Sequence, residues 1–153
     1  MDIKVFQYTT IIPAKLNTVW PFFSNPKNLI EITSFPPIVQ LKLEEVESGT
    51  QIVEIDFSLS FLSYRWLAEI TIDEANCQFT DVAMNPPFPL DYWKHTHTFK
   101  QQGAYTVMCD RLEITTKIPS FVLKNILQQM FKSREKAIKQ YLTKNTPNKR
   151  VSH

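Results

Sequence analysis

Residues Ile3 to Ile12 are rich in β-branched and aromatic side chains, which predicts a first strand. Pro13 ends it, because proline has no N–H to give to a strand ladder. Over residues 14 to 23 the apolar positions Leu16, Val19, Trp20 and Phe23 recur at spacings of three and four, the signature of one helical face. Asn25-Pro26 then reads as a cap followed by proline at the first helical position, with Leu29, Ile30 and Ile32 turned inward before Ser34-Phe35-Pro36-Pro37 breaks the pattern.

From residue 38 the period falls to two. It predicts strands at about 38–46, 51–60, 64–74, 77–84, 91–101 and 104–117, joined as an antiparallel meander. Val53, Ile55, Phe57 and Leu59 share one face, and Tyr64, Trp66, Ala68, Ile70 and Ile72 share another. After Pro119, Ser120 is placed to cap a helix of about 24 residues. Leu123, Ile126, Leu127, Met130, Phe131, Ala137, Ile138, Tyr141 and Leu142 form its apolar stripe. The order strand, two short helices, six strands, long helix predicts an α+β helix-grip fold, a curved seven-stranded antiparallel sheet around a long C-terminal helix. The single domain is expected over residues 1–143, with 144–153 a disordered basic tail. A sheet that curves round a helix without touching it everywhere leaves an apolar cavity.

Composition removes several function classes. With 153 residues there is material for one compact domain. Gly49 and Gly103 are the sole glycines, so neither a phosphate-binding loop nor a dinucleotide fingerprint can be written. The 17 basic and 15 acidic residues nearly cancel, so nucleic acid is not an expected partner. Cys77 and Cys109 are too few for a disulfide framework and suit a reducing compartment. No segment reads as a signal peptide or a membrane span, and the expected location is cytoplasmic. The sequence carries no signal for an oligomeric state.

Candidate chemistry concentrates in residues 91 to 112. Trp93, His95, His97 and Phe99 alternate with Lys94, Thr96 and Thr98 and therefore share one face. A two-residue turn at Gln102-Gly103 pairs Gln101 with Ala104, and hence Phe99 with Thr106, His97 with Met108, His95 with Asp110 and Trp93 with Leu112. Met108, Asp110, Leu112 and Ile114 form the inward row, so Asp110 is a buried carboxylate with His95 as its expected partner. Such a pair can be structural, can anchor a ligand's polar end, or can act as a general base oriented by a carboxylate. His95, His97 and Asp110 can point at one metal ion, but the pattern puts no second carboxylate or cysteine on that face, which disfavours a metal. No metal and no cofactor are expected. Arg134, interrupting the helical stripe, reads as a snorkelling surface arginine. Asn85-Pro86-Pro87-Phe88-Pro89-Leu90 reads as a stiff loop that can rim the cavity mouth.

Two stretches carry a resemblance. Ile12-Pro13-Ala14 with Val19-Trp20-Pro21-Phe22-Phe23-Ser24-Asn25-Pro26-Lys27-Asn28-Leu29 is similar to the opening of the helix-grip, Bet v 1-like domains. This group, often called SRPBCC, includes START lipid-transfer domains and polyketide cyclase/dehydrase-like proteins. Pro89-Leu90-Asp91-Tyr92-Trp93-Lys94-His95-Thr96-His97-Thr98-Phe99, followed by Asp110, resembles a signature of its uncharacterised bacterial members. Phe88 stands where that signature usually has glycine and Leu90 where it has an aromatic, which bears on the width of the entrance. The resemblance spans residues 3 to 143 and implies an internal hydrophobic cavity that binds a small molecule or lipid. Phe57, Trp66, Trp93, Phe99, Met108 and Met130 are the expected apolar contacts, and His95, His97 and Asp110 the expected polar ones. Two other readings stay open. One is a cyclase or dehydratase using His95 and Asp110 as acid and base; the other is a protein-binding regulator working through outward residues such as Arg65 and Arg111.

Overall fold

The computed structural model describes residues 1–33, 37–59 and 62–145. Strand β1 (Lys4–Ile12) leads into α1 (Leu16–Phe23), a 3-10 turn (Pro26–Asn28) and α2 (Leu29–Ile32). Six strands follow: β2 (Ile38–Glu47), β3 (Thr50–Leu59), β4 (Leu62–Asp73), β5 (Gln78–Ala83), β6 (Leu90–Gln102) and β7 (Tyr105–Thr116). The long helix α3 (Ser120–Asn145) comes last. Element order is as read from the sequence, with ends displaced by a residue or two. The expected break at residues 34–36, the side chain of Leu59 and the tail from residue 146 lie outside the described residues. Lys144 and Asn145, expected in that tail, are helical.

All seven strands form one antiparallel sheet in the order β1-β7-β6-β5-β4-β3-β2. The α1 and α2 segment carries the chain from one edge of the sheet to the other, and the meander then returns strand by strand to β1. Its local signals work as anticipated at the 3-10 turn, where Asn25 Oδ1 accepts from the Lys27 amide at 3.2 Å beside Pro26. At the start of α3 they differ by one residue. The Pro119 carbonyl accepts from the amides of Val122 and Leu123 at 3.1 and 3.0 Å, so Ser120 is already inside the helix.

Helix α3 buries Leu123, Leu127, Phe131 and Ile138, while Ile126 sits on the exposed flank of the stripe. Leu123, Leu127 and Phe131 pack on Leu112 and Ile114 of β7, and Phe131 stacks on Tyr8 at 5.0 Å. At roughly 1.5–3 kcal/mol for each fully buried aliphatic or aromatic side chain, these contacts are ample to hold an otherwise polar helix on the sheet. A second cluster gathers Trp20 and Phe23 of α1 against Phe79, Phe99 and Met108. No described helix is long and apolar enough to cross a membrane.

Candidate functional site

The β6–β7 hairpin turns on Gly103 and Ala104, with Gln102 opposite Tyr105, rather than on Gln102 and Gly103. Gly103, at φ +59, takes the first central position, where a type II′ turn wants glycine, instead of the second. The register therefore moves by two residues. His97 stands opposite Asp110, His95 opposite Leu112, Phe99 opposite Met108 and Trp93 opposite Ile114. A displacement of two preserves which residues face inward, so the histidine row stays inside. His95 still reaches Asp110 on the diagonal, Nε2 to Oδ1 at 2.8 Å.

Asp110 is fully buried and collects three partners. Besides His95, Arg134 of α3 grips it with both guanidinium ends, Nη1 donating to Oδ1 at 2.9 Å and Nη2 to Oδ2. His97 Nδ1 lies 3.0 Å from Oδ1, off the line of a good hydrogen bond. The surface role expected of Arg134 is thus corrected: its side chain is only 13 % exposed. Its position three residues beyond Phe131 and three before Ala137, on the inward stripe, was the available signal.

A second carboxylate completes the cluster. Asp81 of β5 follows the buried Phe79 by two residues and so points the same way. Its Oδ2 lies 3.2 Å from His97 Nε2 and 3.7 Å from His95 Nδ1, and its Oδ1 accepts from Trp93 Nε1 at 3.1 Å. The two imidazoles stack on each other with centroids 3.7 Å apart, and Phe79 covers the far face of His97 at 4.0 Å. Sequence reading placed Asp81 on a strand but did not align that strand with β6; the alternation from Phe79 would have turned it inward.

Burial would raise the Asp110 carboxyl, but the Arg134 guanidinium and the bonds from both histidines outweigh it and hold it well below the usual range. Burial likewise acts upward on Asp81, and the histidines together with Trp93 bring it below normal. The imidazoles separate. Burial and the charge of its neighbour push His95 down, whereas for His97 the bonds to both carboxylates overcome burial and push it up. Of the two imidazoles, His97 is thus the readier to hold a proton. A proton on His97 makes the group of two carboxylates, one guanidinium and one imidazolium electrically neutral, the arrangement that a low-dielectric interior favours.

This cluster forms one wall of a cavity of about 170 Å³ between the sheet and α3. Asp81, Trp93, His95, His97 and Arg134 lie among its lining residues, and apart from Thr33 the rest of the wall is apolar, including Phe57, Trp66, Ala68, Met130 and Phe131. Trp66 and Trp93 meet edge to face at 5.4 Å. Three of the sequence-selected contacts are not in that lining. Phe99 and Met108 lie nearer the hairpin and pack with α1, and Asp110 sits behind the imidazoles. The proline loop does not line the cavity either, and Phe88 is 91 % exposed, so it does not narrow the space. Arg65 and Arg111 face outward, the first paired with Asp56 and Glu54, the second with Glu113. Exposed pairs of this kind contribute about 0–1 kcal/mol.

No protein-family profile matches the sequence, and no curated protein matches it. Solved structures do. The Zhui aromatase/cyclase from Streptomyces sp. R1128 superposes with a TM-score of 0.78 at 13 % identity, over 93 % of this chain and 94 % of that one. A START superfamily protein from Mycobacterium smegmatis gives 0.77 at 14 %, over 93 % and 99 %. Ara h 8.0201 gives 0.73 at 16 %, over 94 % and 99 %. The chain has the SRPBCC, Bet v 1-like helix-grip fold. At these identities the likeness concerns the fold, and the site has to be read from its own residues.

Proposed function

We propose that the protein binds a compact hydrophobic small molecule in the cavity, with the molecule's polar end on the Asp81, His95 and His97 wall. The observation that carries this reading is a partly enclosed, mainly apolar space with one buried charged wall. Size bounds the occupant. A cavity of about 150 Å³ takes benzene, and drug-sized ligands fill roughly 300–1,000 Å³. A space of about 170 Å³ therefore suits one aromatic or alicyclic ring with a small polar substituent. A long acyl chain or a polycyclic molecule requires the grip to open. Binding of phenol or cyclohexanone should change the fluorescence of Trp66 and Trp93, which line the cavity, and Trp66→Phe with Trp93→Phe should remove the change. Native mass spectrometry of the purified protein should also recover a bound apolar compound. A signal that persists in the double variant, reporting only Trp20, would refute the reading.

A catalytic role has one specific observation in its favour. His95 donates from Nε2 to Asp110, so its Nδ1 is free to accept a proton, and Asp81 Oδ2 at 3.7 Å is beyond hydrogen-bond reach. In this second reading His95 removes a proton from an enolisable ligand. Deuterium uptake from solvent into bound cyclohexanone should be accelerated by the wild type. His95→Ala should stop it with affinity largely kept, whereas equal loss of both would favour simple anchoring.

A further inference from the structure

We propose that Asp81, His95 and His97 form a binding site for a divalent transition-metal ion whose open coordination positions face the cavity. The three side chains offer Asp81 Oδ2, His95 Nδ1 and His97 Nε2, all within 4.8 Å of one another, and all three residues line the cavity. Alternation along β6 and β7 alone puts no second carboxylate on the histidine face. Asp81, contributed by the neighbouring strand β5, is that carboxylate.

The two rings are turned in opposite senses, and this turns the cluster into a ligand set. His95 directs Nε2 at Asp110 and Nδ1 towards Asp81, while His97 directs Nδ1 towards Asp110 and Nε2 at Asp81. Asp110 thus bonds one nitrogen of His95 and lies close to one of His97, and Asp81 faces the other nitrogen of each. An ionised carboxylate only accepts, so a neutral histidine bonded to Asp110 presents a lone pair on its far side. Seating a cation between the two rings and Asp81 requires His97 to release its proton and the stacked rings to part, so that both lone pairs meet the Asp81 oxygen at one ion.

Distances fit such an occupant. Donors at about 2.0–2.1 Å from a tetrahedral ion stand about 3.3 Å apart. The Asp81 oxygen is 3.2 Å from His97 Nε2 and 3.7 Å from His95 Nδ1, and closing the set asks the His95 ring to turn out of its stack on His97. The supporting shell is already built. Metal-bound histidines characteristically give their other ring nitrogen to a carboxylate, which fixes tautomer and orientation. Asp110 does this for His95 and stands 3.0 Å from His97 Nδ1, and the double grip of Arg134 keeps it in that outer position. Two imidazoles and one carboxylate suit zinc, cobalt or iron(II) rather than magnesium or calcium. Three protein ligands leave a position for water or for an oxygen of a cavity-bound molecule. The site stands whether or not an organic ligand occupies the cavity.

The test is a titration of chelator-treated protein with Co²⁺ and Zn²⁺. Co²⁺ should produce visible absorption bands at one equivalent that Zn²⁺ abolishes. Asp81→Asn should weaken Co²⁺ binding more than about 100-fold, beyond the roughly 10–100-fold that losing a supporting partner costs. Wild-type protein with ¹⁵N-labelled histidine provides a measurement independent of any variant. Zn²⁺ should shift His95 Nδ1 and His97 Nε2, leaving His153 unmoved. Absence of bands in excess Co²⁺, shifts confined to His153, or full binding by folded Asp81→Asn would each overturn the proposal.

Discussion

Arg134→Met should lower the free energy of unfolding at pH 8 by about 3 kcal/mol or more in urea titrations, the loss expected when one partner of a buried ion pair is removed. The reason is local. Asp110 has no contact with solvent, and the guanidinium supplies bonds to both of its oxygens. Without Arg134 the two carboxylates face a single imidazolium, and the cheapest remedy is a second proton, taken by His95. Its folded pKa in the variant then rises above the ordinary value of about 6.5. Stability from such a shift is fully present below the unfolded pKa and is lost as pH rises through the folded one. The gap between variant and wild type should therefore be smaller at pH 6 than at pH 8. A variant as stable as wild type at both values would show that Asp110 does not depend on α3.

Ala68→Phe should abolish binding of phenol-sized molecules, with a loss of more than 100-fold, while the protein still folds. Ala68 is buried on β4 and lines the cavity. The added ring is about the size of the benzene that a cavity of about 150 Å³ accepts, so it consumes most of the free space. Overpacking should cost about 1–3 kcal/mol, read as a lowered denaturation midpoint with an unchanged slope. Isothermal titration with phenol checks the binding. Undiminished affinity in Ala68→Phe would place the ligand elsewhere, for instance on the exposed face carrying Arg65 and Arg111.

How far the site could be read in advance depended on the range over which each relation acts. His95, His97 and Asp110 were legible because strand alternation is a local property of the backbone, and even a misplaced turn left all three facing inward. The turn itself was misplaced because one glycine satisfies either primed type at different positions, and pairing with β7 had to choose. Asp81 and Arg134 were missed for a different reason. Asp81 enters through the pairing of β5 with β6, and Arg134 through the docking of α3 across the sheet, and neither is encoded in spacing along one segment.

Hydrophobic periodicity alone determined the element order, the fold class and the inward face of β6 and β7, since periods of 2 and 3.6 are written residue by residue. Only the assembled tertiary structure decided which charges share the interior. Burial of Asp110 demands compensation from whatever side chains converge there, and convergence of β5, β6, β7 and α3 on one point is set by sheet order and helix packing. The same packing fixed the size of the cavity, because a volume of about 170 Å³ is what remains after all the side chains between sheet and helix have been placed.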